Sequence, residues 1–160
     1  MTEEELSQKQ LEAPSGSFTL KVDGQGRLAI PREWEHYFIG KLDEKEFFIT
    51  FEKSWLKIFP RKIWIKQNAT AFREKSEEEY EDWSITMQHY GVMTGFDKEY
   101  RLTPSQTLRT EMNLKGAELI MMNHQGTLRG MLKSDYEQRQ RVAEEATNKQ
   151  QSRPDGPRML

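Results

Sequence analysis

One short segment indicates how the chain folds: Asp23-Gly24-Gln25-Gly26-Arg27-Leu28-Ala29-Ile30-Pro31. Glycines tolerate positive φ and an aspartate side chain bonds neighbouring amides, so the segment begins with a turn. The alternating apolar residues that precede it, from Phe18 to Val22, predict a strand, and Arg27 to Ile30 predict a returning strand. Pro31 stands where a short helix can begin. A strand, a turn, a strand and a short helix are therefore expected in succession.

The same order of elements recurs in the second half of the chain. The spacing from Asp23 to Asp97 is 74 residues, as it is from Arg27 to Arg101, and Leu56 and Leu128 in the following hairpins are 72 apart. Each half continues with two β-rich runs, first residues 47–51 and 55–59, then residues 119–122 and 127–132. An internal duplication explains this pattern most simply.

The motif Asp-x-x-Gly-Arg-Leu-x-Ile-Pro resembles the signature of the SpoVT/AbrB swapped-hairpin superfamily, and its duplication in one chain is similar to the MraZ family of transcriptional regulators. The resemblance covers roughly residues 16–140. It divides the chain into a disordered tail (1–15), a first module (16–67), a helical linker (68–88), a second module (89–140) and a helical to disordered tail (141–160).

The resemblance implies an α+β, β-dominated fold, in which two tandem swapped-hairpin modules form one pseudo-twofold barrel with short helices and a helical linker. It also implies a homo-oligomer, shaped as a ring, that binds promoter repeats in double-stranded DNA. Large apolar residues near Pro60, namely Trp55, Phe59, Ile63 and Trp64, are expected to supply the interface between subunits.

The residues implied to contact DNA are cationic and lie in or near the two motifs. An arginine fork on a rigid turn can grip phosphate or pair with the O6 and N7 of guanine. The expected DNA contacts are Arg27, Arg101, Lys21, Arg32 and Lys98, and the turn residues are Asp23, Gly26 and Asp97. For Lys21, Arg32, Lys98 and likewise Arg109, a DNA contact and a solvated surface charge are about equally supported, because isolated surface cations usually do nothing particular.

The second motif departs from the family pattern. Tyr100 stands where glycine is expected, which predicts a reshaped turn and a weaker contribution from Arg101. Gln25 and Glu99 stand where relatives often carry a cation, so the electrostatic attraction to DNA is reduced.

Charge is distributed unevenly along the sequence. The net charge is −2 for the whole chain. Residues 18–67 nevertheless carry 10 Lys and Arg against 7 Asp and Glu, and residues 89–133 carry 6 against 4. The acidic excess lies in residues 1–17 and 68–88. A modestly basic surface is therefore compatible with the two motif segments.

Other chemistry has little support in the sequence. There is no cysteine, and His36, His89 and His124 lack the spacing of metal ligands. No nucleotide-binding or catalytic pattern is found, so we expect neither an enzyme nor a cofactor. The leading hypothesis is a cytoplasmic, nucleoid-associated, sequence-specific DNA-binding transcriptional regulator, which the resemblance implies to be a repressor of a division and cell-wall operon. An AbrB-type antitoxin and an oligomeric scaffold that has lost DNA binding are the alternatives.

Overall fold

The computed structural model describes residues 1–151, and helices and strands are distributed along the whole of that range. A π-helical turn, Tyr37–Lys41, follows the second helix. In chain order the elements are α1 (Glu3–Leu11), β1 (Phe18–Lys21), β2 (Leu28–Ala29), α2 (Arg32–His36), β3 (Glu46–Glu52), β4 (Trp55–Pro60), α3 (Arg61–Glu74), α4 (Glu77–Tyr90), β5 (Val92–Gly95), β6 (Arg101–Leu102), α5 (Gln106–Glu111), β7 (Glu118–His124), β8 (Thr127–Leu132) and α6 (Lys133–Gln151).

Six of the strands form one antiparallel sheet in the order β1-β7-β8-β4-β3-β5, and β2 and β6 form a separate two-stranded ribbon. At the centre of the sheet β4 pairs with β8, with Lys57 opposite Arg129. The pairs β1·β7, β2·β6, β3·β5 and β4·β8 each join a strand before residue 68 to one after residue 88. The two halves of the sequence therefore share one sheet.

The predicted architecture is wrong. The large sheet is open, with β1 and β5 at opposite edges, so the expected barrel of tandem swapped-hairpin modules is not formed. The fold is α+β but not β-dominated, because about 48% of the described residues are helical. Residues 68–88, expected to be a helical linker, lie within two long helices, α3 and α4, that pack on the sheet.

The sheet separates two layers. On one face, Phe47 packs against Phe38 and Phe96, at ring-centroid distances of 4.9 Å in both cases. On the other face, Phe48 stacks on Trp64 of α3 at 4.2 Å. Neighbouring residues of a strand point to opposite faces, so β3 serves both layers. The turns and the ribbon lie on the Phe47 side, and α3 and α4 cover the Phe48 side.

The N-terminal segment belongs to the folded structure, which corrects the expectation of a disordered tail over residues 1–15. Thr2 caps α1, and Leu6 is buried. The Tyr37 hydroxyl donates a hydrogen bond to the Lys9 carbonyl at 2.9 Å, and Lys66 Nζ donates one to Gln10 Oε1 at 2.7 Å. The segment was expected to be disordered because it is mostly polar, but its apolar residues Leu6 and Ala13 are buried. At the other end, the disorder predicted beyond α6 lies outside the described residues.

Three of the four apolar residues expected at a subunit interface are instead part of the core, and the fourth, Trp55, is partly exposed. Phe59, Ile63 and Trp64 are buried, and the guanidinium of Arg129 covers the Trp55 ring at 4.1 Å from its centroid. Phe59 and Trp64 contact each other because α3 folds back on the sheet, and Trp83 of α4 stacks on Trp64. Within residues 1–151, no helix combines the length and the apolarity that crossing a membrane requires.

Candidate nucleic-acid interface

The first turn is held by the side chain of Asp23. Its Oδ1 atom accepts hydrogen bonds from the N–H groups of Gln25 and Arg27, both at 2.9 Å, and its Oδ2 atom accepts one from Arg27 Nε at 2.7 Å. The Gly26 N–H donates to the Asp23 carbonyl at 3.0 Å, and Gly26 adopts a φ of +83°. One carboxylate therefore fixes both the turn and the direction of the arginine.

The second turn has the same bonds, so the expectation that Tyr100 reshapes it is wrong. Asp97 Oδ1 accepts from the N–H groups of Glu99 and Arg101 at 2.8 and 2.9 Å, and Oδ2 accepts from Arg101 Nε at 2.8 Å. Tyr100 adopts the left-handed φ of +57°, which costs a non-glycine residue about 1–2 kcal/mol. Edge-on packing of its ring on Phe96, at 5.7 Å, offsets part of that cost.

These bonds keep both aspartates ionised. Burial alone would raise the pKa of Asp23, but hydrogen bonds from Arg27 and Gln25 outweigh it and lower the pKa to about 2. The pKa of Asp97 is lowered too, chiefly by the hydrogen bond from the Arg101 N–H. At neutral pH each motif arginine therefore has an anionic partner that orients it.

The β2–β6 ribbon brings the two turns together. Leu28 pairs with Leu102, both fully buried, and Ala29 pairs with Arg101. Because side chains alternate along a strand, Arg27 and Arg101 occupy the outer side of the ribbon, opposite the two leucines. Diagonal positions on such a ladder are about 7–8 Å apart. The hydrogen bond that Arg101 donates to Asp97 is the largest cause that raises the pKa of Arg101, and the charge of Asp23 contributes as well, as expected of neighbouring turns.

The two arginines differ in how completely they are paired. Arg101 Nη1 also contacts Glu99 Oε2 at 3.0 Å, so two carboxylates surround its guanidinium. The residue equivalent to Glu99 in the first turn is Gln25, and the only ion pair of Arg27 within the described residues is the one with Asp23 through Nε. The Nη1 and Nη2 donors of Arg27 are therefore the more available for a ligand.

Arg109 supports the first turn from the other half of the chain, a position that sequence reasoning missed. Its side chain packs against Gly26, where an added Cβ would lie 2.5 Å from Arg109 Cδ. Arg109 Nη1 donates to the Gln25 carbonyl at 3.4 Å, whereas its buried Nε has no partner among residues 1–151. No local sequence pattern could have indicated this contact, because Arg109 and Gln25 are 84 residues apart in the sequence and only the tertiary structure brings them together.

The remaining predicted cations are all exposed, and the structure brings only some of them near the two arginines. Lys98 lies within the second turn. Lys21 ends β1, two residues before Asp23, and Arg32 is the first residue of α2. In the part of the chain that the structure describes, none of the three has an ion pair.

The described residues hold no group of three or more histidine or acidic side chains that could bind a metal ion. No family model and no curated protein matches the chain.

Proposed function

We propose that this chain is a transcriptional regulator that binds double-stranded DNA through the outer side of the β2–β6 ribbon. The observation that carries the proposal is the pair of equivalent turns, each presenting an arginine on an aspartate, side by side on one surface. An aspartate that bonds backbone N–H groups is enough to form such a turn, and the arginine side chain is not required for it. Both turns of this chain nevertheless carry the arginine.

The dimensions of the ribbon suit this task. The major groove of B-DNA admits a two-stranded ribbon, and arginine is the commonest side chain to recognise guanine. With Nε held by Asp23, the Nη atoms of Arg27 keep a fixed direction, which lowers the entropic cost of a bidentate contact. In this arrangement Arg27 is the main base contact and Arg101 the weaker one. Lys21, Arg32 and Lys98 contact phosphates and set the register.

A single subunit has limited electrostatic attraction to DNA, because Asp23, Asp97 and Glu99 stand among the cations. We infer that several subunits act together on repeated promoter sites, so that weak contacts add by avidity. The exposed apolar residues of α3 and α4, Ile65, Phe72 and Ile85, are the contacts we assign to this homo-oligomer, for which a ring is the expected form. The protein would then act in the cytoplasm, at the nucleoid.

The test is a binding titration of the purified chain against the DNA upstream of its own gene, at several salt concentrations. Binding should weaken steeply as salt rises, because phosphate contacts release counterions. Arg27→Ala should weaken it, whereas Arg141→Ala, an exposed arginine on α6, should not. Salt-insensitive binding, or none, would favour the scaffold alternative.

A further inference from the structure

A second cationic site lies on the opposite face of the sheet from the ribbon. Lys57 and Arg129 are register partners at the centre of the sheet, and the alternate residues Leu56, Ile58 and Leu128 point into the core on the Phe47 side. Lys57 and Arg129 therefore point to the Phe48 side. They line a cavity of about 40 Å³ together with His124 and glutamine side chains from α1, α3 and the β7–β8 turn (Gln10, Gln67 and Gln125).

The second hairpin lacks the carboxylate that the first hairpin has at the equivalent position. The 72-residue offset that relates the hairpins maps Lys57 onto Arg129 and Glu52 onto His124. In the first half, Glu52 Oε1 neutralises Lys57 Nζ at 2.7 Å. In the second half, His124 stands where that carboxylate would be. Arg129 forms no ion pair within residues 1–151, and its buried Nε has no hydrogen-bond partner there.

A second arginine lies near Arg129 and adds positive charge to this face of the sheet. Burial, then the charges of Arg129 and Lys57, lower the pKa of His124, which favours its neutral form. Burial, then the nearby Arg139 on α6, lower the pKa of Arg129. Asp135 lines the adjoining cleft beside Arg139 and Trp55 but forms no ion pair with either arginine. A buried donor left unpaired is costly, and an anion would satisfy it.

We propose that this cavity binds a tetrahedral oxyanion, a phosphate ion or the phosphoryl group of a small metabolite. Arg129 would donate its free Nε to the anion while it remains stacked on Trp55, and His124 would donate through a ring N–H. Lys57 would keep its ion pair with Glu52 at the edge of the site. The volume matches one such group, since a single water needs about 10–15 Å³. The site is separate from the DNA-binding surface proposed above and does not depend on it.

The test is thermal unfolding of the full chain in buffer without oxyanions, with increasing inorganic phosphate and, in a parallel series, methyl phosphate. A ligand that binds only the folded state raises the midpoint of unfolding with concentration. We expect phosphate to raise it. Arg129→Gln should weaken the phosphate affinity about tenfold or more, as the loss of a charge-assisted hydrogen bond predicts. A response to methyl phosphate as well would identify a phosphorylated metabolite as the ligand class, and a response to phosphate alone would identify the free ion.

The decisive variant is His124→Glu, which supplies the carboxylate found in the first half. It should raise stability without phosphate and abolish the phosphate response. Arg141→Gln and Arg27→Ala should keep that response, the second because the ribbon is not involved. The NMR signals of His124 should also shift as phosphate is added, with a rise in its pKa. The proposal is overturned if phosphate leaves the wild-type midpoint unchanged, or if the response survives in both Arg129→Gln and His124→Glu.

Discussion

Arg27 and Arg101 are held in the same way but should not contribute equally to DNA binding. We expect Arg27→Ala to weaken binding by about 1–3 kcal/mol per site, the value of a lost bidentate contact. Arg101→Ala should cost less, because Glu99 already occupies its Nη1 atom. Fluorescence anisotropy with labelled promoter DNA measures both losses. Glu99→Gln is the matched control, which should strengthen binding more when Arg101 is present than in Arg101→Ala. Equal losses for both arginines would contradict this reasoning.

Asp23 should make stability depend on pH in the acidic range. Its pKa falls from 3.8 to about 2 on folding. A carboxyl group whose pKa is lowered by folding stabilises the protein above its unfolded pKa, and this contribution is lost as the pH falls through the folded pKa. Urea unfolding measured between about pH 6 and pH 2 should therefore show a loss below about pH 4 that is smaller in Asp23→Asn. If the variant has the same pH profile as the wild type, Arg27 does not stabilise the Asp23 carboxylate.

Gly26 is required for the first turn by two independent constraints, its positive φ and its contact with Arg109. Gly26→Ala should lower the free energy of unfolding by about 1–3 kcal/mol. Gly24→Ala is the matched control and should have little effect, since Gly24 has no positive φ and nothing within 4 Å of an added Cβ. When Arg109→Ala is added to Gly26→Ala, chemical denaturation should show that only part of the lost free energy of unfolding is recovered, because residue 26 still has a strained φ. Full recovery would show that crowding alone excludes a side chain.

At the scale of secondary structure, α1 should stabilise the fold through one side chain. Leu6→Ala should cost about 2 kcal/mol, as expected for a leucine in a small apolar contact. Leu11→Ala, at the exposed end of the same helix, should cost almost nothing. Thermal or urea unfolding distinguishes the two. Equal values near zero would show that α1 is not docked in solution.

The sequence predicted most individual elements but not their assembly. Alternation and turn residues located β3, β4, β7, β8 and both motif turns, because these signals depend on near neighbours. The strand partners across the chain, and the helices that cover the sheet, depend on contacts between distant residues. The inner position of Trp64 and the docking of Leu6 therefore had no local signal. The same holds for Arg109, whose contact with Gly26 crosses from one half to the other.

At the scale of the whole molecule, the exposed apolar residues of α3 and α4 are the ones we assign to self-association. Ile65 and Phe72, which are seven residues apart, lie on one side of α3. Multi-angle light scattering should give a mass several times 19.0 kDa. Changing both residues to glutamate should reduce it, whereas Leu11→Glu on α1 should not. A wild-type mass near that of one chain would remove the avidity on which the DNA-binding proposal relies.

The pairing of β1 with β7 has a consequence for how the chain is made. Phe18 meets Met121, about 100 residues later, so the first strand leaves the ribosome long before its partner is synthesised. Such distant contacts slow folding and leave an unpaired edge on the growing chain. The edge is short, and Thr19 and Lys21 face outward from it. A short edge with an exposed lysine resists pairing with other chains, so β1 is suited to remain unaggregated during translation until the C-terminal hairpin has been synthesised.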